Sequence, residues 1–306
     1  MMKIRRKKKL KGMSLFDIVD TFLVLLITLV IAYPLYFCVI ASFSDPTEVA
    51  SGNTLLWIKG FSLEAYKMII KEEQLWRGYR NTIIYTTLGT LYNLFLTMTT
   101  AYALSKKYLP MHSALSWFYF ITMYVGCGMI PSYMLIRDLG LVNNPLVLII
   151  GGTGISVYNM IVTRQYFSTS IHPEIYDAAL IDGAGEGKCF TKIALPLAKP
   201  IIAVMALYYG VGHWNSWFGA LLYVYDKEYF PLQLVLRNIL IIGQMSLSDM
   251  DKFSTSEEIE YMIYRMRMAQ GMKYSVVIVA SLPLLIAYPF LQKYFAKGVM
   301  VGAVKG

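Results

Sequence analysis

Residues His172 to Pro200 read HPEIYDAALIDGAGEGKCFTKIALPLAKP and lie between two blocks of chain that carry no Asp, Glu, Lys or Arg. Pro173 suits a first helical position, and Glu174 and Asp177 favour the positive end of the helix dipole. Ala178, Ala179 and Leu180 are good helix formers, so a short helix is expected to begin near Pro173. Gly183 can take a positive φ without a Cβ clash and breaks that helix, with Asp182 expected to cap the next one. The second helix is expected to end before Pro196. Two alanines and a bare glycine at the tip of such a hairpin allow another surface to approach the backbone closely. That shape serves contact rather than catalysis.

The flanking blocks, Pro145 to Thr163 and Ile201 to Tyr225, belong to a set of six uncharged stretches with Thr21 to Ile40, Asn81 to Leu104, Ser113 to Ile136 and Tyr274 to Leu291. A helix needs roughly 20 residues to cross about 30 Å of hydrocarbon, and each stretch comes close to that length. The expectation is an all-α membrane protein with six transmembrane helices. The basic residues Lys3 to Lys11, Lys106, Lys107, Arg164, Lys188, Lys192, Lys199, Lys293, Lys297 and Lys305 then share one side, which places both termini in the cytoplasm. The opposite connections hold Asp45, Glu72, Glu73, Asp226, Asp249, Asp251, Glu257, Glu258 and Glu260.

On this division residues 1–20 form a basic cytoplasmic N-terminus and 21–306 the transmembrane domain, with an inner loop at 172–200 and an outer loop at 226–273. Leu232 to Met245 is too short to be a seventh span and is expected to be an amphipathic helix within the outer loop. Thr21 to Ile40 exceeds the length of a signal-peptide core and no small-residue cleavage site follows, so it is expected to be a retained anchor.

Composition agrees. Of 306 residues, 57% are hydrophobic and only 15% charged, and the mean hydropathy is +0.50, against about 25% charged in a soluble domain. The net charge of +9 follows the topology and calls for no nucleic acid. Cys38, Cys127 and Cys189 lack metal or disulfide spacing, and no metal site is expected. Gly183 to Cys189 imitates a phosphate loop, but Asp182 stands at the first glycine position and Cys189 where Ser or Thr would hold magnesium, so no nucleotide cofactor is expected on this chain.

Asp177, Ala178, Ala179, Gly183, Ile193, Leu195 and Pro196 resemble, with matching spacing, the EAA loop of binding-protein-dependent ABC importer permeases. Asp177 replaces the usual glutamate. The resemblance implies a type I ABC importer permease fold whose loop contains a coupling helix docked on a cytoplasmic ATPase. It assigns ATPase coupling to Glu174, Asp177, Ala178, Ala179, Asp182, Gly183, Ala184, Ile193, Leu195 and Pro196, and leaves ATP and magnesium to the partner ATPase dimer.

Asn81, Thr82 and Tyr85, the AYALSK of Ala101 to Lys106, HWNSWFGALL from His213, and the tail Ala303 to Gly306 are similar to the maltose-type second permease of carbohydrate importers, in particular Gram-positive permeases for polysaccharide-derived oligosaccharides. This implies a second homologous permease, an extracellular sugar-binding protein, an oligosaccharide cargo and a place in the bacterial cell membrane. Tyr119, Tyr124, Asn159, His213, Trp214, Asn215 and Trp217 offer the aromatic faces and neutral hydrogen-bonding groups that a sugar path needs. Helix-to-helix hydrogen bonding and interfacial aromatic belts explain the same residues without a cargo. Two alternatives remain: an ABC permease for a non-sugar solute, and a secondary transporter, which the absence of charged residues inside the six stretches disfavours. No catalytic constellation is present, so an enzyme is not expected.

Overall fold

The computed structural model describes residues 15–150, 154–242, 269–286 and 288–289. The basic N-terminal tip, most of the expected outer loop (243–268) and the C-terminal tail lie outside the described residues. Among the described residues the chain is helical, with no strand.

Helix α1 (Leu15–Ser42) is 28 residues long and exposed along most of its length; only Ile40, Ala41 and Ser42 are buried. For a soluble protein that surface would be costly, whereas in hydrocarbon it is ordinary, because lipid tails are as apolar as leucine. Short helices α2 (Pro46–Ala50) and α3 (Glu64–Lys71) lead to α4 (Glu73–Ser105), whose 33 residues rise about 50 Å. Its buried side chains include Leu75, Gly78, Thr82, Tyr85, Gly89, Asn93, Thr97, Ala101 and Leu104. That spacing of three or four traces one face of a helix. The stripe is built from small and polar residues, which let helices approach and bond to one another where no hydrophobic force joins them.

The stretch 113–136 was expected as one continuous span. It is instead two helices, α5 (His112–Tyr124) and α6 (Met129–Asp138), bent by 114°. The break falls at Val125–Gly128, where Gly128 takes φ +83°, a conformation that removes the constraint of a Cβ. The next expected span is also divided, into α7 (Leu146–Ile150) and α8 (Val157–Ser170), the latter capped by Ser156. Between them the Gly154 carbonyl accepts from Asn93 Nδ2 at 2.8 Å. Non-helical backbone at membrane depth needs such a buried partner.

The hairpin follows as α9 (Pro173–Ile181) and α10 (Glu186–Leu197). Pro173 occupies the first turn, as expected, and Gly183 takes φ +76°. Two details differ from expectation. Asp182 closes α9, and Gly185 rather than Asp182 precedes α10. Moreover α10 does not stop before Pro196: residues Cys189–Ala194 open into a π-helical turn and the helix continues through Leu195–Leu197. Proline lacks an amide proton and crowds the carbonyl four residues back, and a widened turn relieves that crowding.

Helix α11 (Lys199–Trp214) leaves α10 at 79° and packs along α4 and α8. Then come α12 (Phe218–Tyr223), α13 (Leu232–Ile242) and α14 (Ala269–Ile286). The expected amphipathic helix after residue 232 is therefore present, but its apolar face is packed: Leu232, Val235, Leu236 and Ile239 are buried against α3, α4 and α14.

Two hydrophobic cores sit at opposite ends of α4. One joins Met98, Ala101 and Tyr102 to Phe167, Tyr176, Cys189, Ala198 and Met205, and so fastens the hairpin to α4, α8 and α11. The other joins Ile69, Leu75 and Trp214 to α13 and α14. There Asn81 Nδ2 donates to the Glu228 carbonyl at 2.6 Å, Tyr85 Oη to the Tyr229 carbonyl at 3.0 Å, and the Leu232 amide to Thr82 Oγ1 at 2.8 Å. Residues 172–200 and 226–236 thus meet opposite ends of the same long helix.

By length and composition, α1 and α14 can each cross a membrane, and the bent pairs α5/α6 and α10/α11 add two more such segments.

Candidate functional site

The hairpin tip projects apolar side chains away from the core. Ile181 is 87% exposed, Leu180 47% and Ile175 41%, while Tyr176 from the same helix is buried. Glu174, Asp177, Ala178, Asp182 and Gly183 share the exposed surface, whereas Ala179 and Ala184 are half-buried. A Cβ at Gly183 would meet nothing within 4 Å, so the tip is open on this chain. Ile193 and Leu195 are half-buried against the first core and Pro196 is exposed further along α10. The ten expected coupling residues therefore divide into an exposed tip and a supporting arm.

Behind the tip is a polar cluster that sequence reasoning missed. Tyr102 Oη donates to Glu186 Oε2 at 2.9 Å, and Tyr108 Oη donates to Glu186 Oε1. Lys106 Nζ lies 3.0 Å from the centroid of the Tyr176 ring and 4.9 Å from that of Tyr102. Tyr102 also packs against Phe190 at 5.0 Å and edge-on to Phe167 at 5.8 Å. The Tyr108 hydroxyl, helped by Tyr102 and the Lys106 charge, holds the Glu186 carboxyl below the usual carboxylate range, against the opposing effect of burial. Burial pushes the Lys106 ammonium down and the Tyr176 hydroxyl up to about 12. Tyr102 and Lys106 come from the AYALSK segment, but their contact with Glu186 and Tyr176 joins residues far apart in the sequence.

The expected path residues fall in several places. Asn159 and His213 line one cavity of about 380 Å³, together with Asn93, Ser156, Tyr208 and Tyr209. There His213 Nε2 lies 2.7 Å from Asn93 Oδ1, and Tyr209 Oη lies 2.7 Å from Thr97 Oγ1 and accepts from the Ser156 amide at 3.2 Å. Asn215 and Trp217 line a second cavity of about 620 Å³ with Gln233, Arg237 and Ser281; the Arg237 guanidinium lies 4.8 Å from the Trp217 ring centroid. Trp214 lines neither, being buried in the second core edge-on to Tyr79. Tyr119 packs against the first core, and Tyr124 is 70% exposed at the end of α5.

A helical bundle with a long apolar helix, a projecting hairpin and open clefts that carry some polar side chains has the form of a transport subunit. The chain belongs to the family of binding-protein-dependent transport system inner membrane components, whose model matches residues 10–301. It has the type I fold of ABC importer permeases.

Its relatives include Protein LplC of Bacillus subtilis (strain 168), 34% identical over 306 residues and covering 100% of both chains. The polygalacturonan/rhamnogalacturonan transport system permease protein YtcP of the same organism is 34% identical over 295 residues, 95% of this chain and 99% of the relative. Among solved structures, the crystal structure of a bacterial ABC transporter involved in the import of the acidic polysaccharide alginate matches with a TM-score of 0.81 and 29% identity, over 92% of this chain and 96% of that one. Family membership sets aside the secondary-transporter alternative.

Proposed function

We propose that this chain is one of two homologous permeases in an ATP-driven importer that passes an oligosaccharide from an extracellular binding protein into the cytoplasm. The observation that carries the reading is the hairpin tip, where the adjacent Leu180 and Ile181 are exposed beside the open turn at Gly183 and offer a partner an apolar surface to cover. That partner is a cytoplasmic ATPase dimer, which binds the ATP and magnesium that this chain does not. The chain itself conducts and performs no catalysis. The sugar reading draws on YtcP and on the alginate importer, and favours fragments of acidic polysaccharides as cargo. The Asn93, Asn159 and His213 cavity and the Asn215, Trp217 and Arg237 cavity are the candidate path.

The topology that fits has six spans, supplied by α1, α4, the bent pair α5/α6, the divided α7/α8 segment, α11 with α12, and α14, with both termini and the hairpin including α10 in the cytoplasm, and residues 226–273 outside, in the bacterial cell membrane. Isolation of the tagged chain from its native membranes tests the reading. Co-purification of a second permease and an ATPase, with hydrolysis stimulated by galacturonate oligosaccharides and the binding protein, is expected. Recovery of the chain alone would overturn the assembly, and stimulation only by a non-sugar solute would overturn the cargo. Cysteine labelling from outside should reach residue 52 and not residue 187.

A further inference from the structure

The polar cluster behind the hairpin is where two parts of the molecule are tied by side chains alone. Glu186 opens α10, and its two carboxylate oxygens are taken by two different tyrosines: Tyr102 in the last turn of α4 and Tyr108 in the segment that follows it. Hydrogen bonds to an ionised carboxylate are about twice as strong as neutral ones, and two donors on one carboxylate fix its orientation. Across the turn, Lys106 rests on the ring of Tyr176 in α9, so both arms of the hairpin are held by the same end of α4. Tyr102 also wedges between Phe167 of α8 and Phe190 of α10.

We infer that Glu186, Tyr102, Tyr108 and Lys106 form a clamp that makes α4 move with the hairpin, so that displacement of the tip is delivered to the long helix lining the Asn93 and His213 cavity. The residues are positioning residues: none needs to touch the ATPase or the cargo. This rests on the proposed role of the hairpin as the ATPase contact. What it adds is the route. The covalent routes from the hairpin lead back to α8 and on to α11, whereas α4 is separated from α9 in sequence by α5 to α8 and is joined to the hairpin at this cluster and through the first core. The arrangement also ranks its own substitutions. Glutamine at 186 keeps one oxygen to accept from one tyrosine and loses the charge, whereas alanine keeps neither bond.

The test uses the complex purified from native membranes with a cysteine introduced at Thr90, on α4 and away from the clamp, where the side-chain oxygen is buried, so that labelling reports its uncovering as the helix moves. Maleimide labelling at residue 90 is read by peptide mass, with and without ATP and vanadate, alongside the amount of ATPase that co-purifies. ATP should change the labelling rate in the parent. Glu186→Ala should reduce that change by at least about fivefold with ATPase recovery unaltered, Glu186→Gln should fall between, and Tyr102→Phe with Tyr108→Phe should match Glu186→Ala. A full ATP response in Glu186→Ala would overturn the clamp. Loss of the ATPase from Glu186→Ala would overturn it differently, by making Glu186 a docking residue. A parent that holds its ATPase but shows no change at residue 90 would mean that α4 is not driven. A parent that recovers no ATPase would instead overturn the proposed function itself.

Discussion

The imidazole of His213 fills the space beside Gly89: a Cβ at position 89 would lie 2.4 Å from His213 Cε1 and 2.5 Å from Nε2. The absence of a side chain on α4 lets α11 bring its histidine to Asn93, one turn further along. Gly89→Ala is therefore expected to expel the ring and break that bond, at a cost of about 1–3 kcal/mol. The detergent-purified chain should melt at lower temperature. Combining Gly89→Ala with His213→Ala should recover part of the loss, because the colliding ring is gone; equal melting of the single and double variants would refute this account.

The tip makes a second prediction. Leu180→Asp and Ile181→Asp should leave insertion and fold unchanged, since both side chains face outward in this chain, yet release the ATPase on purification. Gly185→Trp, at a neighbouring glycine whose φ of −74° suits any side chain, should do the same by filling the open space beside the turn. Undiminished ATPase recovery from all three would move the contact elsewhere.

At the other end of α4, the Leu232 amide is buried on Thr82 Oγ1 at 2.8 Å. Thr82→Val preserves shape but leaves that donor without its acceptor, a loss of about 1–3 kcal/mol. Amide exchange over residues 228–236 should accelerate. Thr82→Ser, which restores the oxygen, should exchange as the parent does.

The clamp has a pH signature. Glu186 has a depressed folded-state pKa, caused first by the Tyr108 hydrogen bond and then by Tyr102 and Lys106, with burial opposing. Its contribution is fully present above the ordinary glutamate pKa and disappears as pH falls through the lower, folded value. Lys106, with its ammonium pushed down by burial, stays charged across that acidic range. The ATP response at residue 90 should therefore be flat from neutral pH down to the ordinary glutamate pKa and fall only below it. A loss already complete near pH 6 would contradict the assignment.

How much of this was legible in the sequence depends on distance along the chain. Pro173 and Gly183 act on their immediate neighbours, so the hairpin could be read locally. The glycine at 128 that bends α5 against α6 lies in an apolar run whose hydropathy hides it, and a span count based on apolarity passes over the break. Pro196 misleads in the opposite direction, because the π-turn that accommodates it depends on the packing of Cys189 and Ala194. The cavity pairing of Asn159 with His213 and the seating of Glu186 between two tyrosines arise only when α4, α8 and α11 are assembled. Trp214 could not be told from its neighbours Asn215 and Trp217 until the helix phase placed its ring in the second core.

The 79° elbow between α10 and α11 sits at Ala198, which is fully buried and whose amide bonds to the Ala194 carbonyl at 2.9 Å. A packed elbow behaves as a bell crank. On the proposed role of the hairpin, a push on its shorter arm would return at His213, near the end of the longer α11 arm, turned through the 79° of the elbow. The gearing is set by the number of residues on each side of Ala198, and inserting one helical turn into α11 would change the stroke without altering a single contact at the tip.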